Sequence, residues 1–302
     1  MEFMLGGRGR CTQLISDAIV ISMSATIIDG RKVRDARMLD LIKRVQSLSR
    51  VPTLAIIQVG DRPDSTAFIR AKKAFAKKVG VLERHIQLRE SSSQDEITAV
   101  IKKFNTDSVV TGIIVQLPLP NGIDRDVVID TIDPCKDADG LTSTNVKQWL
   151  EGRGDVPIPA TARGIRELLG HYNIELAGKE VVVVGRSMLV GRPIAQMCMN
   201  ANATVTVCHS KTLDLKAETL KGDIIISATG HPRLIGAGHV KKGQIVIDVG
   251  ITKNEKGELV GDVDFDAIKN IVSAVSPVPG GVGPMTVLGL FENVLDLAIT
   301  QR

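Results

Sequence analysis

The feature that most constrains this chain is an alternation that occurs twice: a short apolar run, a glycine- or proline-marked turn, then a stretch with helical spacing. Leu54-Ala55-Ile56-Ile57-Gln58-Val59 stops at Gly60 and reads as a buried strand, and Ser65 to Val79 then reads as a helix. Ile86 to Leu88 supplies another strand, and Ser93 with Glu96 forms a capping-box pattern opening a helix to about Phe104. Val109 to Leu117 is a further apolar strand, closed by the turn Pro118-Leu119-Pro120-Asn121-Gly122. The segment Gly152 to Pro159 carries two glycines and two prolines and marks a boundary. Beyond it come a helix from Thr161 to His171, a strand Glu180 to Val184, a glycine turn, a helix Val190 to Asn200, and strands Ala203 to Val207, Asp223 to Ser227 and Gln244 to Val249. Strands and helices in this order imply parallel sheets covered on both faces.

The expected fold is therefore α/β, with two doubly wound domains, the second a Rossmann-type dinucleotide-binding domain, and a cleft between them. A length of 302 residues suits two domains of roughly 150 each. We expect an N-terminal extension over 1–22, a first domain over 23–160 and a second over 161–285. A final amphipathic helix, with Leu290, Val294 and Leu297 on one face, is read over Val287 to Thr300. In the extension, Arg8 and Arg10 precede the short apolar stretch Ala18 to Ile21, but Asp17 interrupts it, so a loosely attached segment is expected rather than a signal peptide.

Composition narrows the function classes. The net charge of +4 is spread along the chain without a block of like charge, and aromatics are only 3 %, so neither a nucleic-acid tail nor a base-stacking platform is expected. No apolar run approaches the roughly 18 residues of a membrane span. Cys11, Cys135, Cys198 and Cys208 form no CxxC pair, which points to free thiols in a reducing, cytoplasmic setting. The five histidines show no paired spacing, and no metal is expected.

Chemistry enters at Val181-Val182-Val183-Val184-Gly185-Arg186-Ser187-Met188-Leu189-Val190-Gly191, an apolar strand, a glycine turn and a helix start. Such a turn lets backbone N–H groups and a helix N-terminus face a phosphate. The spacing is not the usual GxGxxG, and an ordinary tight turn would look similar. The next strand ends in Val207-Cys208-His209-Ser210-Lys211, with no carboxylate for a ribose 2′-hydroxyl. Arg186, Ser187, Ser210 and Lys211 suit a 2′-phosphate instead, which favours NADP over NAD.

On the helix from Ser65, the residues Phe68, Ala71, Phe75 and Val79 form an apolar stripe, and Lys72 lies along it. A lysine there either snorkels or is desolvated, and desolvation lowers its pKa towards the range of useful proton exchange. Gln116 ends a strand at the carboxyl edge where such sheets bind ligands. Asp137 and Asp139, in Lys136-Asp137-Ala138-Asp139-Gly140, each offer a carboxylate to ligand N–H groups. Ser276 to Thr286 holds three prolines and three glycines in eleven residues, a composition for a rigid loop beside a flat ligand or for a connector.

Taken together, from Ile27 to the C-terminus, these segments resemble the bifunctional methylenetetrahydrofolate dehydrogenase/methenyltetrahydrofolate cyclohydrolase family. The resemblance rests on Gly112 to Pro120, Lys136 to Gly140, Gly185-Arg186-Ser187 with Val190-Gly191, Cys208-His209-Ser210, and Pro277 to Thr286. It implies a folate-binding first domain to which the C-terminal helix (286–302) returns, an NADP-binding second domain, tetrahydrofolate one-carbon derivatives as substrates, and a homodimer. It implies oxidation of 5,10-methylenetetrahydrofolate with NADP, then hydrolysis of the methenyl product to 10-formyltetrahydrofolate. By motif, Lys72, Gln116 and Asp139 are the catalytic set. Phe68, Leu117, Pro279, Gly280 and Gly281 line the folate site. Gly185, Arg186, Ser187, Ser210, Thr229, Gly230 and Ile251 lie at the dinucleotide.

The chain departs from the family at Phe68, where a tyrosine is usual. The lost phenol would bear on water addition, so a dehydrogenase with weak or absent cyclohydrolase is the alternative expectation. Two further departures are Ala160 and Ala162 in a cleft-edge segment usually Pro-Cys-Thr-Pro, and Lys147 where glycine is common.

Overall fold

The computed structural model describes residues 24–153 and 155–301, and the expected extension 1–22 lies outside them. The chain opens with strand β1 (Thr26–Ile27) and helix α1 (Gly30–Gln46), which Asp29 caps by accepting from the backbone N–H groups of Arg31 and Lys32. Three parallel strands follow, β2 (Thr53–Val59), β3 (Leu82–Leu88) and β4 (Gly112–Val115), ordered β3–β2–β4. Between them run α2 (Pro63–Val79) and α3 (Gln94–Thr106). Helix α2 starts before the expected Ser65 because Pro63 fits the first helical turn, where its missing N–H would be unpaired anyway. The capping box of Ser93 and Glu96 is present. Strand β3 is longer than expected. As an edge strand its burial alternates and it carries Glu83, Arg84 and His85, so it lacks the continuous apolar run of β2.

After α4 (Arg125–Asp130), α5 (Ser143–Leu150) and α6 (Ala160–His171) comes the second series. It comprises β5 (Glu180–Val184), α7 (Gly191–Asn200), β6 (Thr204–Cys208), α8 (Leu215–Lys221), β7 (Ile224–Ser227) and β8 (Ile245–Asp248). A small antiparallel pair, β9 (Thr252–Lys253) and β10 (Leu259–Val260), precedes α9 (Phe265–Ile268) and β11 (Ala274–Val275). The parallel sheet runs β1–β11–β8–β7–β5–β6. β5 connects to β6 on one side while β7 lies on its other side, so the carboxyl ends of β5 and β7 flank a topological switch point, where open α/β sheets bind ligands. One feature corrects the expected division at residue 23: β1 belongs to this second sheet, pairing with β11. Two residues of strand carry too little pattern to announce their sheet.

The last helix, α10 (Val282–Thr300), begins five residues before the expected Val287. Pro284 sits in its first turn, where a missing N–H costs nothing. It is long and apolar enough to cross a membrane by length and hydropathy, yet Leu288, Leu290, Phe291, Val294 and Leu295 are all buried inside the protein. It packs on α6, α1 and α2, with the Phe75 and Phe291 rings 5.2 Å apart, so it does return to the first series. Asn293 donates to the carbonyls of Ala138 (2.9 Å) and Ile158 (2.7 Å), which ties the loop after β4 to this helix. Buried Glu292 sits among Arg44 (2.8 Å), Arg37 (3.6 Å) and Arg163 (3.7 Å), joining α10 to α1 and α6.

Candidate active site

Lys72 occupies the middle of the buried face of α2, between Ser65 and Ile69 on one side and Ala76 and Val79 on the other. This face is centred one position on from the expected stripe. Phe75 and Val79 are buried as expected, whereas Phe68 is 48 % exposed and Ala71 is exposed. Phe68 is therefore a ring at the stripe's border, available to a ligand, rather than a core residue. The Lys72 ammonium donates to Gln116 Oε1 at 3.1 Å. Gln116 is held in turn: its backbone N–H donates to the Ile57 carbonyl of β2 (2.8 Å), and its Nε2 donates to the Leu117 carbonyl (2.8 Å). Burial pulls the Lys72 pKa below the lysine range, with the Asp139 charge opposing the shift, and burial pushes the Asp139 carboxyl up, with Lys72 opposing. Two groups of opposite type, each driven towards its neutral form, can exchange a proton with a ligand between them.

Asp137 and Asp139 do not share a role. Asp137 is fully buried and accepts from the N–H groups of Gly140 and Thr142 (2.8 Å each), from the Thr142 hydroxyl (2.9 Å) and from Asn145 Nδ2 (3.1 Å). It builds the loop, and leaving those donors unpaired would cost roughly 1–3 kcal/mol each. Asp139 is the carboxylate of this pair left for a ligand.

In the second sheet, Gly185 follows β5 with φ of 117°, and a Cβ there would collide with the Ala228 carbonyl. A Cβ on Gly191 would collide with the Gly185 carbonyl in the same way. The two glycines thus allow the turn to close tightly against β7 and the start of α7. Ser187 Oγ accepts from the N–H groups of Val190 (3.2 Å) and Gly191 (3.4 Å), which leaves its hydroxyl hydrogen free to donate. Arg186 is exposed and has no ion-pair partner among the described residues. Ser210 is exposed in the turn after β6, where His209 Nδ1 accepts from the Lys211 N–H at 3.1 Å. A glycine cradle, an unpaired arginine and two hydroxyls at a helix start and a strand end form a donor set that fits a dinucleotide carrying an extra phosphate.

Thr229 and Gly230 follow β7, and Ile251 follows β8 with 40 % exposure. The Thr252 hydroxyl donates to the Gly230 carbonyl at 3.0 Å and holds the two loops together. The loop through Pro279, Gly280 and Gly281 is anchored to α1, with the Arg31 N–H donating to the Gly280 carbonyl at 3.1 Å. It closes directly into α10, so the connector and ligand-wall readings of this segment are not exclusive. Sequence reasoning passed over Asp248 and Asp262, two buried carboxylates behind the loops at 229–230 and 250–251. Only one carried a signal: Asp248 is an isolated acid in the apolar stretch Val246-Ile247-Asp248-Val249, whereas Asp262 is the first of three alternating aspartates, Asp262-Val263-Asp264-Phe265-Asp266, and does not stand out.

Residues 28–139 match the catalytic domain of tetrahydrofolate dehydrogenase/cyclohydrolase, and residues 159–302 match the NAD(P)-binding domain of the same enzymes. The chain belongs to this family. A bifunctional FolD protein of Bacillus subtilis is 44 % identical over 279 residues, which covers 91 % of this chain and 98 % of the relative. Among solved structures, the bifunctional FolD dehydrogenase/cyclohydrolase of Campylobacter jejuni is 40 % identical with a TM-score of 0.91, covering 92 % of this chain and all of that one. The Trypanosoma brucei methylenetetrahydrofolate dehydrogenase-cyclohydrolase, solved with NADP and an inhibitor, is 36 % identical with a TM-score of 0.87, covering 92 % of this chain and 98 % of that one.

Proposed function

We infer that this family member oxidises 5,10-methylenetetrahydrofolate with NADP and hydrolyses the methenyl product to 10-formyltetrahydrofolate, with Lys72, Gln116 and Asp139 as the catalytic set. The observation that carries the assignment is the Lys72–Gln116 hydrogen bond at the carboxyl edge of the first sheet, with the Asp139 charge within reach. Bound at the second domain, NADP would supply the hydride acceptor. Gly185, Arg186, Ser187 and Ser210 would hold its phosphates, and Thr229, Gly230 and Ile251 would bound its nicotinamide side. Asp139 accepts from ring N–H donors of the folate. Phe68, Leu117, Pro279, Gly280 and Gly281 give the flat ring its walls, which fixes the bridge carbon relative to Lys72.

In the hydrolytic step Lys72 acts as the proton acceptor for the attacking water, and Gln116 keeps its amine aimed at the reacting carbon. Only the free amine can accept. The cyclohydrolase rate is therefore expected to rise with pH through a midpoint below the ordinary lysine range, and Gln116→Ala should reduce the rate at every pH. A profile without a rising limb over the stable range would remove Lys72 from this role.

The narrower reading, a dehydrogenase without cyclohydrolase, is not the better supported one, since the Bacillus subtilis and Campylobacter jejuni relatives are bifunctional by name. Nor does the geometry require a phenol at position 68, since Gln116 already orients the lysine. We place the folate domain over 23–160 with 286–302 and the dinucleotide domain over 161–285, except that β1 (Thr26–Ile27) joins the sheet of the dinucleotide domain. A homodimer is supported by the open edge of β3, where Leu82 is 57 % exposed beside a groove of about 880 Å³ lined by Gln58, Lys73 and His85. Light scattering is expected to give twice the chain mass, and a monomer at micromolar concentration would refute it. Among the described residues Cys135, Cys198 and Cys208 are free thiols, which fits a cytoplasmic protein.

A further inference from the structure

We propose that Asp262, braced by Asp248, is a positioning residue for the dinucleotide, fixing the loops after β7 and β8 against each other. The inference rests on the reading above that Thr229, Gly230 and Ile251 bound the cofactor.

Asp262 is fully buried, and its Oδ2 accepts from the Ser227 hydroxyl at 3.0 Å and from the Thr229 N–H at 2.6 Å. It thus sets the direction in which the chain leaves β7. Asp248, at the end of β8 and 3 % exposed, is fixed on both oxygens. Its Oδ1 accepts from the N–H groups of Gly250 and Asp262 (3.0 Å each), and its Oδ2 accepts from Val263 at 2.9 Å. Its backbone N–H donates to the Ser276 hydroxyl at 2.7 Å, at the head of the loop that carries Pro279 to Gly281. One bracket therefore ties together the loops at 229–230, 250–251 and 276–281. The fit is close: a Cβ on Gly250 would collide with the Asp262 carboxyl, and one on Gly261 with the Asp248 carboxyl.

Two features argue against a purely structural pair. Asp262 Oδ1 is buried without a hydrogen-bond partner among the described residues, an arrangement that lowers stability rather than raising it. Two carboxyls in one buried bracket also repel. Burial first, with the Asp262 charge adding to it against the backbone hydrogen bonds, pushes the Asp248 carboxyl up to about 7. A fold seeking only stability would neither leave Asp262 Oδ1 unpaired nor bury a second carboxyl beside it. Retaining the acids makes sense where loop geometry beside the cofactor is what they secure.

The test is Asp262→Asn in the full chain, with NADP binding followed by calorimetry, melting measured without ligand, and cyclohydrolase activity measured without cofactor. The expected result is NADP affinity weakened about tenfold, the loss typical of a charged hydrogen bond, with the melting temperature not lowered and the cyclohydrolase rate unchanged. Asp248→Asn should shift affinity in the same direction and covers the case in which the first variant fails to fold. Unchanged NADP affinity in both variants overturns the proposal. So does a joint fall of melting temperature, affinity and cyclohydrolase rate, which is the signature of a structural pair. Arg186→Ala measured alongside separates the two levels: if it weakens NADP and the aspartate variants do not, only this inference fails, whereas no effect from any of them removes the dinucleotide site itself.

Discussion

Lys72→Met is expected to lower cyclohydrolase activity by roughly 10²–10⁴-fold, the usual worth of a positioned general base, while NADP binding stays intact. Methionine keeps the length and fills the buried centre of α2, so Ile69, Phe75 and Ala76 retain a neighbour. The chemistry alone is removed. The electrostatics add a second expectation that separates this variant from an unfolded one. Burial lowers the Lys72 pKa in the folded chain. Between that lowered value and the ordinary lysine value, the unfolded chain holds a proton the folded chain lacks, and stability rises with pH across that window. Below it, Lys72 charged in a desolvated place is a cost. Its replacement by an uncharged side chain should therefore leave the melting temperature at neutral pH unchanged or raised. Activity lost together with stability would point to misfolding. Water-addition activity at the wild-type level would show that another group accepts the proton.

Arg186→Ala is expected to weaken NADP by roughly 10- to 150-fold, corresponding to about 1.5–3 kcal/mol for hydrogen bonds to a charged partner, and to change NAD binding little. The asymmetry follows from what Arg186 faces. It leaves the glycine turn exposed and without a carboxylate partner among the described residues, and the strand leading to Ser210 ends without an acid that would favour a free ribose. Its guanidinium is thus free for a phosphate that only NADP carries. Calorimetry with both dinucleotides reads the difference directly. Equal weakening of the two would mean that Arg186 contacts the shared pyrophosphate or merely supports the turn.

Much of this site was legible in the chain because its parts are local. The turn Gly185 to Gly191 announces itself through two glycines at the ends of an apolar strand and a helix, and the structure places both where a Cβ would collide. Lys72 was visible as a charge on an apolar helix face. What stayed hidden was the exact centre of that face, since Phe68 and Ile69 are both apolar and only packing shows which one the core takes. Asp137 and Asp139 looked equivalent, because sequence does not show that the donors of Gly140, Thr142 and Asn145 fold back onto the first. The two-residue strand β1 escaped because its sheet lies some 250 residues further along the chain, at Ala274 and Val275. The Asp248–Asp262 bracket was missed for the same reason: its meaning depends on contacts among three loops that are distant in sequence.

The most direct test of the account is an assay of NADP-dependent dehydrogenase activity on 5,10-methylenetetrahydrofolate and of cyclohydrolase activity on the methenyl compound, with one purified sample of the full chain. The account predicts both activities, with Phe68 in place and no phenol beside Lys72. Dehydrogenase turnover without detectable hydrolysis would contradict it, and would make Phe68→Tyr the variant that decides whether the missing hydroxyl is the cause.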